Sequence, residues 1–423
     1  MNIKALQEVF MNKIIQFGEG GFLRGFADWM IDICNEICDF GGEVTVIQPI
    51  PFGNAQLINE AGGRYTHIIE GAEGREVREI SCISRCINPY EEFEEYLRLA
   101  EDPDYRFIIS NTTEAGIAFN EADRLTDAPA SSFPGKLTQL LLKRYEAGLK
   151  GFIFLPCELI EENGKNLKKI LLQYAKLWQL PEGFSQWIEE ENIFCDTLVD
   201  RINTGCPDPK EPLLNASEFF HLWVIEGYPQ LFEEFPLNRC GLNIILTDDL
   251  KPYRTRKVRI LNGAHTSITP YGLLMGLETV KDCIDDPKMN SFLKSCIFEE
   301  IIPTLDLPKE ELESFANDVL IRFSNPYIKH QLKSISLNSV SKFKVRVLPS
   351  ILEYIRRFNK MPKNLLFAFG MLIAFYRTEQ PADDPKICTF MKEASVGEIL
   401  ANTALWGEDL SFLSKEVSQY ADS

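Results

Sequence analysis

The chain has 423 residues, 45% of them hydrophobic and 25% charged, an ordinary globular balance with enough apolar material for one large core or two smaller ones. Its 62 acidic and 44 basic residues leave a formal charge of −18. Such a surface repels nucleic acid and anionic membrane, so an anionic substrate would need a local cationic patch.

Taken in chain order, residues 13–17 (Lys-Ile-Ile-Gln-Phe) read as a short strand. It runs into Gly18-Glu19-Gly20-Gly21-Phe22-Leu23-Arg24-Gly25 and then into a helix over 26–38. Strand, glycine turn, helix is the context in which a Gly-x-Gly motif binds a dinucleotide. The backbone at Gly18 and Gly20 can approach a pyrophosphate, whose charge suits the helix N-terminus. The third fingerprint position is Leu23, so the full pattern is broken. A second strand at 43–47 ends on Gln48, where an acidic residue would accept a ribose 2′-hydroxyl. The neutral amide leaves NAD and NADP open, and the lack of an adjacent arginine favours NAD.

Strands follow at 105–110, entering Asn111-Thr112-Thr113-Glu114-Ala115-Gly116, and at 151–155, entering Pro156-Cys157-Glu158-Leu159-Ile160. Helices are expected at 90–101, 136–147 and 165–178. Continuous apolar strands alternating with helices predict an α/β, Rossmann-like domain whose mostly parallel sheet is covered on both faces. Ligands of such sheets bind at the carboxyl ends of the strands, where the Gly18, Asn111 and Pro156 loops would gather.

Beyond about residue 246 the pattern turns helical, at 292–302, 309–322, 350–358, 363–377 and 396–402. The expected organisation is a Rossmann-like dinucleotide-binding domain over 1–245 and a mainly α-helical substrate and catalytic domain over 246–423. Near the start of the second, facing the cleft between the two, stands Arg256-Lys257-Val258-Arg259-Ile260-Leu261-Asn262-Gly263-Ala264-His265-Thr266. On an α-helix Asn262 lies about 140°, and His265 about 80°, round from Lys257, so all three share one broad face. An acid/base amine, an amide donor and a switchable ring are what alcohol–ketone interconversion needs. On spacing alone, a solvated lysine in the basic run Arg254, Arg256, Lys257, Arg259 has the better odds, and a lone histidine in an apolar helix is usually a satisfied core residue.

The four histidines, His67, His221, His265 and His330, make no metal-ligand spacing, and the eleven cysteines include no Cys-x-x-Cys. No zinc site of the usual kind is expected. No apolar run approaches the roughly 20 residues needed to cross a bilayer, and the opening octapeptide is no secretory signal. The expectation is a reduced, cytoplasmic chain.

At this point the phrases resemble a known family. Lys257-x4-Asn262-x2-His265 is similar to the signature of the polyol-specific long-chain dehydrogenases, the mannitol dehydrogenase family. The resemblance runs over nearly the whole chain, through Phe17–Arg24, Ser110–Gly116, Leu155–Ile160 with Asn163-Gly164, Val199-Asp200-Arg201-Ile202, Trp223–Glu226, Lys251–Arg254 and Arg322–Pro326. It implies a metal-independent, NAD-linked enzyme in which Lys257 is the acid/base and Asn262 and His265 position the substrate. Gly18, Gly20, Phe22 and Arg24 match the cofactor turn, with Gln48, Asn111 and Thr112 assigned to the same cofactor. Asp200 and Lys342, of the pair Ser341-Lys342, match groups near the substrate.

Three positions depart from the mannitol dehydrogenase pattern. Cys157-Glu158-Leu159 stands where Cys-Asp-Asn is expected, Arg254 where a Glu is expected, and Ser334 where an Arg is expected. All three concern substrate handling, which fits a changed substrate, and Arg254 suits a sugar acid carboxylate. The expected function is reversible, NAD-dependent reduction of a keto-hexuronate to a hexonate. A fructuronate reductase or mannitol/polyol 2-dehydrogenase of the same family and, from another class, a non-catalytic dinucleotide-sensing protein are the alternatives. The expected partner is a small sugar acid, with no nucleic acid and no membrane, and monomer and dimer both stay open.

Overall fold

A computed structural model describes residues 12–113, 115–378 and 381–421. The opening octapeptide and Glu114 lie outside them. The chain divides into two compact units between Leu250 and Lys251.

The first unit is built on a six-stranded sheet. Its strands are β1 (Asn12–Phe17), β2 (Gly42–Ile47), β5 (Ile83–Ile87), β6 (Tyr105–Ser110), β7 (Ile153–Pro156) and β8 (Ile193–Phe194), in the order β5-β2-β1-β6-β7-β8. Every neighbouring pair is parallel, as the uninterrupted apolar strands predict. Alternate side chains of one strand feed two cores. Ile14 joins Val44, Val46, Phe107 and Ile109 on one face, against the helix α2 (Ala27–Cys38). Ile15 and Phe17 join Ile47, Tyr105 and Phe154 on the other. There the Phe133–Glu146 and Asn163–Leu177 helices supply Leu137, Leu167 and Leu171. The strand order reverses at β1, with β2 on one side and β6 on the other, which puts the crevice of a doubly wound sheet at the carboxyl ends of β1 and β6.

Two smaller sheets were not expected. β3 (Tyr65–Gly71), β4 (Gly74–Ile80), β10 (Asn203–Gly205) and β11 (Asn215–Ser217) form one, in the order β10-β11-β3-β4. β9 (Asp196–Asp200), β12 (Leu222–Glu226) and β13 (Ile244–Thr247) form the other, in the order β13-β12-β9.

The second unit is helical. At its centre the Lys363–Thr378 helix buries Leu365, Leu366, Phe369, Leu372 and Ile373, an apolar surface that belongs inside a bundle. Its N-terminus is capped from another helix: Glu300 accepts the Asn364 and Leu365 backbone N–H groups at 2.9 and 2.8 Å. Gly370 lets the Ser414–Ala421 helix approach, since a Cβ there would lie 2.5 Å from Tyr420 Cβ. The segment carrying Lys257 is one continuous helical path in three parts: α over Lys251–Arg256, π over Lys257–Asn262, and α over Gly263–Leu274.

Candidate active site

The glycine turn follows β1 and opens the short helix α1 (Gly21–Arg24). Gly18 has φ +117°, a backbone that L side chains rarely adopt, and a Cβ there would lie 2.8 Å from the Asn111 carbonyl oxygen. That contact ties the turn to the end of β6, as does the Asn111 N–H donating to Phe17 O at 3.0 Å. Gly20 is different: a Cβ on it would meet nothing within 4 Å. No side chain caps α1 at Gly20. An open approach beside uncapped helix N–H groups, at the carboxyl end of the central parallel strand, fits a pyrophosphate.

Gly21 and Gly25 serve the opposite side of the turn, where there is a buried polar platform. Asn203 and Asn215 both donate to Gly21 O, at 2.7 and 2.8 Å. Arg201 donates to Gly25 O at 2.7 Å and lies 4.1 Å over the Trp29 ring. His67 shares a 2.9 Å bond with Ser217 Oγ. Burial first, and then Arg201 and Arg24, push its ring down to about 3, so it stays neutral. A Cβ on Gly25 would run into the Asn203 and Asn215 amides. Sequence reasoning missed this platform, because its residues lie far from the turn along the chain.

Several expected cofactor groups turn inward. Arg24, only 4% exposed, donates to Glu19 O at 3.2 Å and Leu213 O at 2.6 Å, with Tyr65 Oη donating to its own carbonyl at 2.7 Å. It braces the turn. Both ends of the buried Gln48 amide are engaged: Nε2 donates to Ile50 O at 2.9 Å, and Oε1 accepts from Ala55 N at 3.1 Å. It organises the loop after β2, and each end of the amide keeps one further hydrogen-bonding position. Phe22 stacks on Phe26 at 5.1 Å.

The loops after β6 and β7 are joined by Glu158. Its carboxylate accepts from Thr112 N at 2.9 Å, Thr112 Oγ1 at 3.0 Å and Ser110 Oγ at 3.0 Å. Asn111 Nδ2 reaches Cys157 O at 2.7 Å. Burial raises the Glu158 carboxyl above its ordinary range. Glu158 thus locks the Asn111–Thr112 loop, while Leu159, standing where the family pattern has a second Asn, is exposed. Asp200 ends β9 and is 4% exposed.

In the second unit the π-helix corrects the angular reading. A π turn bonds i to i+5 rather than i to i+4, so residues five apart stack on one face. Gly263 N–H accordingly donates to Val258 O. Lys257 and Asn262, five apart, are brought closer to one face than α geometry allows. Both are half-buried. His265 follows, the third residue of the α-helix and 6% exposed. Its ring stacks on Phe323 at 4.2 Å and meets His330 edge-on at 4.7 Å. Burial, followed by His330, Arg322 and Arg346, pushes its pKa well below the ordinary value. Its Nε2 is buried without a hydrogen-bond partner among the described residues, a deficit of roughly 1–3 kcal/mol that a ligand oxygen can remove.

The flanking arginines differ. Arg256 pairs with Glu311 at 2.6 Å and lies over the Phe315 ring at 4.5 Å, so its charge is matched there. Arg259 donates to Val345 O at 3.2 Å. Arg254 is half-buried on the preceding turn. Lys342, on the Ser339–Arg346 helix, donates to Ile335 O at 2.8 Å. Its pKa is lowered, by burial first and then by Arg346. Arg346 itself, unremarked in the sequence, lies 3.5 Å from Thr266 Oγ1, one residue from His265. The chain therefore gathers Arg322, His330 and Arg346 round the neutral His265 ring.

This constellation, on a Rossmann-like unit followed by a helical one, defines a long-chain dehydrogenase. The chain matches the mannitol dehydrogenase Rossmann domain over residues 12–238 and the mannitol dehydrogenase C-terminal domain over residues 249–422, and it belongs to the mannitol dehydrogenase family. Among its relatives, an altronate oxidoreductase of Yersinia enterocolitica is 46% identical over 450 aligned positions, covering 97% of this chain and 93% of the relative. That of Bacillus subtilis is 45% identical, covering 97% and 92%. Of solved structures, a D-sorbitol dehydrogenase in substrate-free form superposes with TM-score 0.81 at 22% identity, covering 96% of this chain and 93% of that one. The Pseudomonas fluorescens mannitol 2-dehydrogenase ternary complex with NAD and D-mannitol gives 0.69 at 19% identity, covering 97% and 91%. At these identities the structures share the fold.

Proposed function

We propose that this chain is a cytoplasmic, NAD-dependent oxidoreductase that reversibly reduces the keto-hexuronate tagaturonate to the hexonate altronate. The name shared by relatives at about 45% identity over nearly the full length supports the substrate class. The observation that carries it in the geometry is His265: a buried, neutral ring with an unpartnered nitrogen, among Arg322, Arg346 and His330. A sugar acid has both an oxygen for the ring and a carboxylate for a guanidinium. Arg346, 3.5 Å from Thr266 Oγ1, is assigned to that carboxylate together with Arg254 and Lys342.

In this reading NADH, held at the Gly18–Gly20 turn, supplies the hydride. The chain supplies the rest. Lys257 delivers a proton to the carbonyl oxygen and withdraws it in the reverse direction, while Asn262 and His265 fix that oxygen. A lysine thereby does what a metal would do in other alcohol dehydrogenases. The eleven cysteines are all free, which suits a reducing compartment. Among the described residues no helix is long and apolar enough to cross a membrane.

A spectrophotometric panel of tagaturonate, fructuronate and fructose with NADH tests the proposal. Tagaturonate should give the highest kcat/KM, and Arg346→Gln should raise KM for the sugar acids more than for fructose. Preference for fructose would overturn the carboxylate assignment. NADH binding with no turnover of any of the three would favour a dinucleotide sensor.

A further inference from the structure

Three cysteines far apart in sequence converge in the first unit. Cys34 and Cys38 stand one turn apart on α2, at the i, i+4 spacing that puts both on one face. Cys240 reaches them from the other end of the unit, and the three Sγ atoms all lie within 4.8 Å of one another. Cys38 and Cys240 are 3.5 Å apart. Stacking of Phe40 on Phe235, at 4.8 Å and 11°, pins the two segments together beside them. No glycine-turn or Lys257 chemistry uses these thiols. Because Cys240 lies about two hundred positions away, no Cys-x-x-Cys spacing announces them.

We infer that Cys34, Cys38 and Cys240 form a binding site for one thiophilic d10 cation, of the Cu(I) or Zn(II) class, held by three thiolates. Metal–sulfur bonds of about 2.3 Å place thiolates about 3.8–4.0 Å apart in tetrahedral or trigonal geometry. The observed spread brackets that distance, so closure needs shifts of under about 1 Å. Cys34 and Cys240 are buried and Cys38 is half-buried, which leaves an entrance on the Cys38 side. Cys38 is the last residue of α2, where the helix dipole is negative and favours a cation. In the free protein Pro236 O accepts from both Cys240 and Cys38, at 3.6 and 3.9 Å. A cation enters by displacing up to three thiol protons to buffer, with no electron transferred.

The test uses the full, reduced, chelator-stripped chain. It is titrated with Zn(II) against a chromophoric chelator and, anaerobically, with Cu(I) against a Cu(I)-specific chelator. Wild type and the exposed-cysteine control Cys206→Ala should take up one ion per chain that Cys38→Ala and Cys240→Ala do not, with release of protons and a higher Tm in the loaded wild type. The arm that competes with its chelator identifies the ion. Alanine is a good helix former and Cys38 is only half-buried, so that variant should fold; circular dichroism checks it, and Cys34→Ala serves as a third probe. Equal uptake by wild type and the cysteine variants would overturn the proposal. So would failure of wild type to compete in either arm, or a reduced chain that instead forms a Cys38–Cys240 disulfide under the titration conditions.

Discussion

Lys257, the proposed acid/base, and Asp28, a buried carboxyl, tie chemistry and stability to single side chains. Lys257 is half-buried on the π-helix, five residues before Asn262. If it is the acid/base, Lys257→Ala should abolish turnover while NADH still binds with near wild-type affinity by fluorescence titration. Retention of substantial turnover would remove the role. Asp28 lies beneath the glycine turn, where Gln16 Nε2 donates to it at 3.3 Å and to Gly18 O at 3.2 Å. Its Oδ1 and the Gln16 Oε1 are buried without a partner among the described residues. Its carboxyl is pushed up to about 7, by burial above all. A group whose pKa is higher folded than unfolded adds stability in full below its unfolded pKa and loses it as pH rises through the folded one. Between about pH 5.5 and 7 the loss is on the order of 2 kcal/mol. Asp28→Asn has no such slope. The Tm of the variant relative to wild type should therefore climb over that interval and level off above it; a difference flat in pH would show that Asp28 is ionised throughout. Glu158 teaches a related lesson. In the sequence it stood as a departure from Asp, whereas in the structure its carboxylate ties Ser110 to Thr112, a role no single-residue reading discloses.

Among the elements, the π-helix is the one on which the proposed catalytic face depends. A π segment behaves as an insertion in an α-helix, and it persists where function or packing holds it. Here Gly263 sits against the end of the Ser339–Arg346 helix, with a built Cβ only 3.1 Å from Arg346 O. Inserting one alanine between Arg259 and Ile260 should turn Lys257 by about 100° relative to Asn262. The variant should keep its helical circular dichroism and cooperative melting but lose about 10²-fold or more in kcat, the scale expected for ångström misplacement of a catalytic group. Unchanged kcat would show that the shared face of the two side chains is incidental. The expectation of ideal α spacing failed here because apolar periodicity reports which face is buried and says little about a single widened turn. The parallel sheet was legible for the opposite reason: strands such as Tyr105–Ser110 are apolar on both faces and end in polar loops. β4 was not, since Gly-Arg-Glu-Val-Arg-Glu-Ile is largely exposed and carries no core stripe. Asn203, Asn215 and His67 were unreadable as partners of the glycine turn, because only tertiary folding brings β10, β11 and β3 beneath it.

For the whole molecule, the excess of 18 negative charges is a term that no single contact cancels. The ion pairs do little to offset it. Arg98–Glu95, Lys143–Glu146 and Lys309–Glu313 are exposed neighbours on helices, worth about 0.3–0.5 kcal/mol each. Screening acts on both terms with opposite sign. The Debye length falls from about 30 Å at 0.01 M salt to about 8 Å at 0.15 M. Pairs in contact lie well inside either length and lose part of a small contribution. Repulsion among many like charges, summed over longer separations, is cut over the same interval by an amount on the order of several kcal/mol. The second effect is the larger, so added sodium chloride should raise Tm between 0.01 and 0.15 M, most steeply at low salt. The gain should shrink as pH is lowered toward the pI of about 4.9, where the excess charge disappears. A Tm that falls with salt at neutral pH would mean that the surface pairs, rather than the net charge, dominate the electrostatics of this chain.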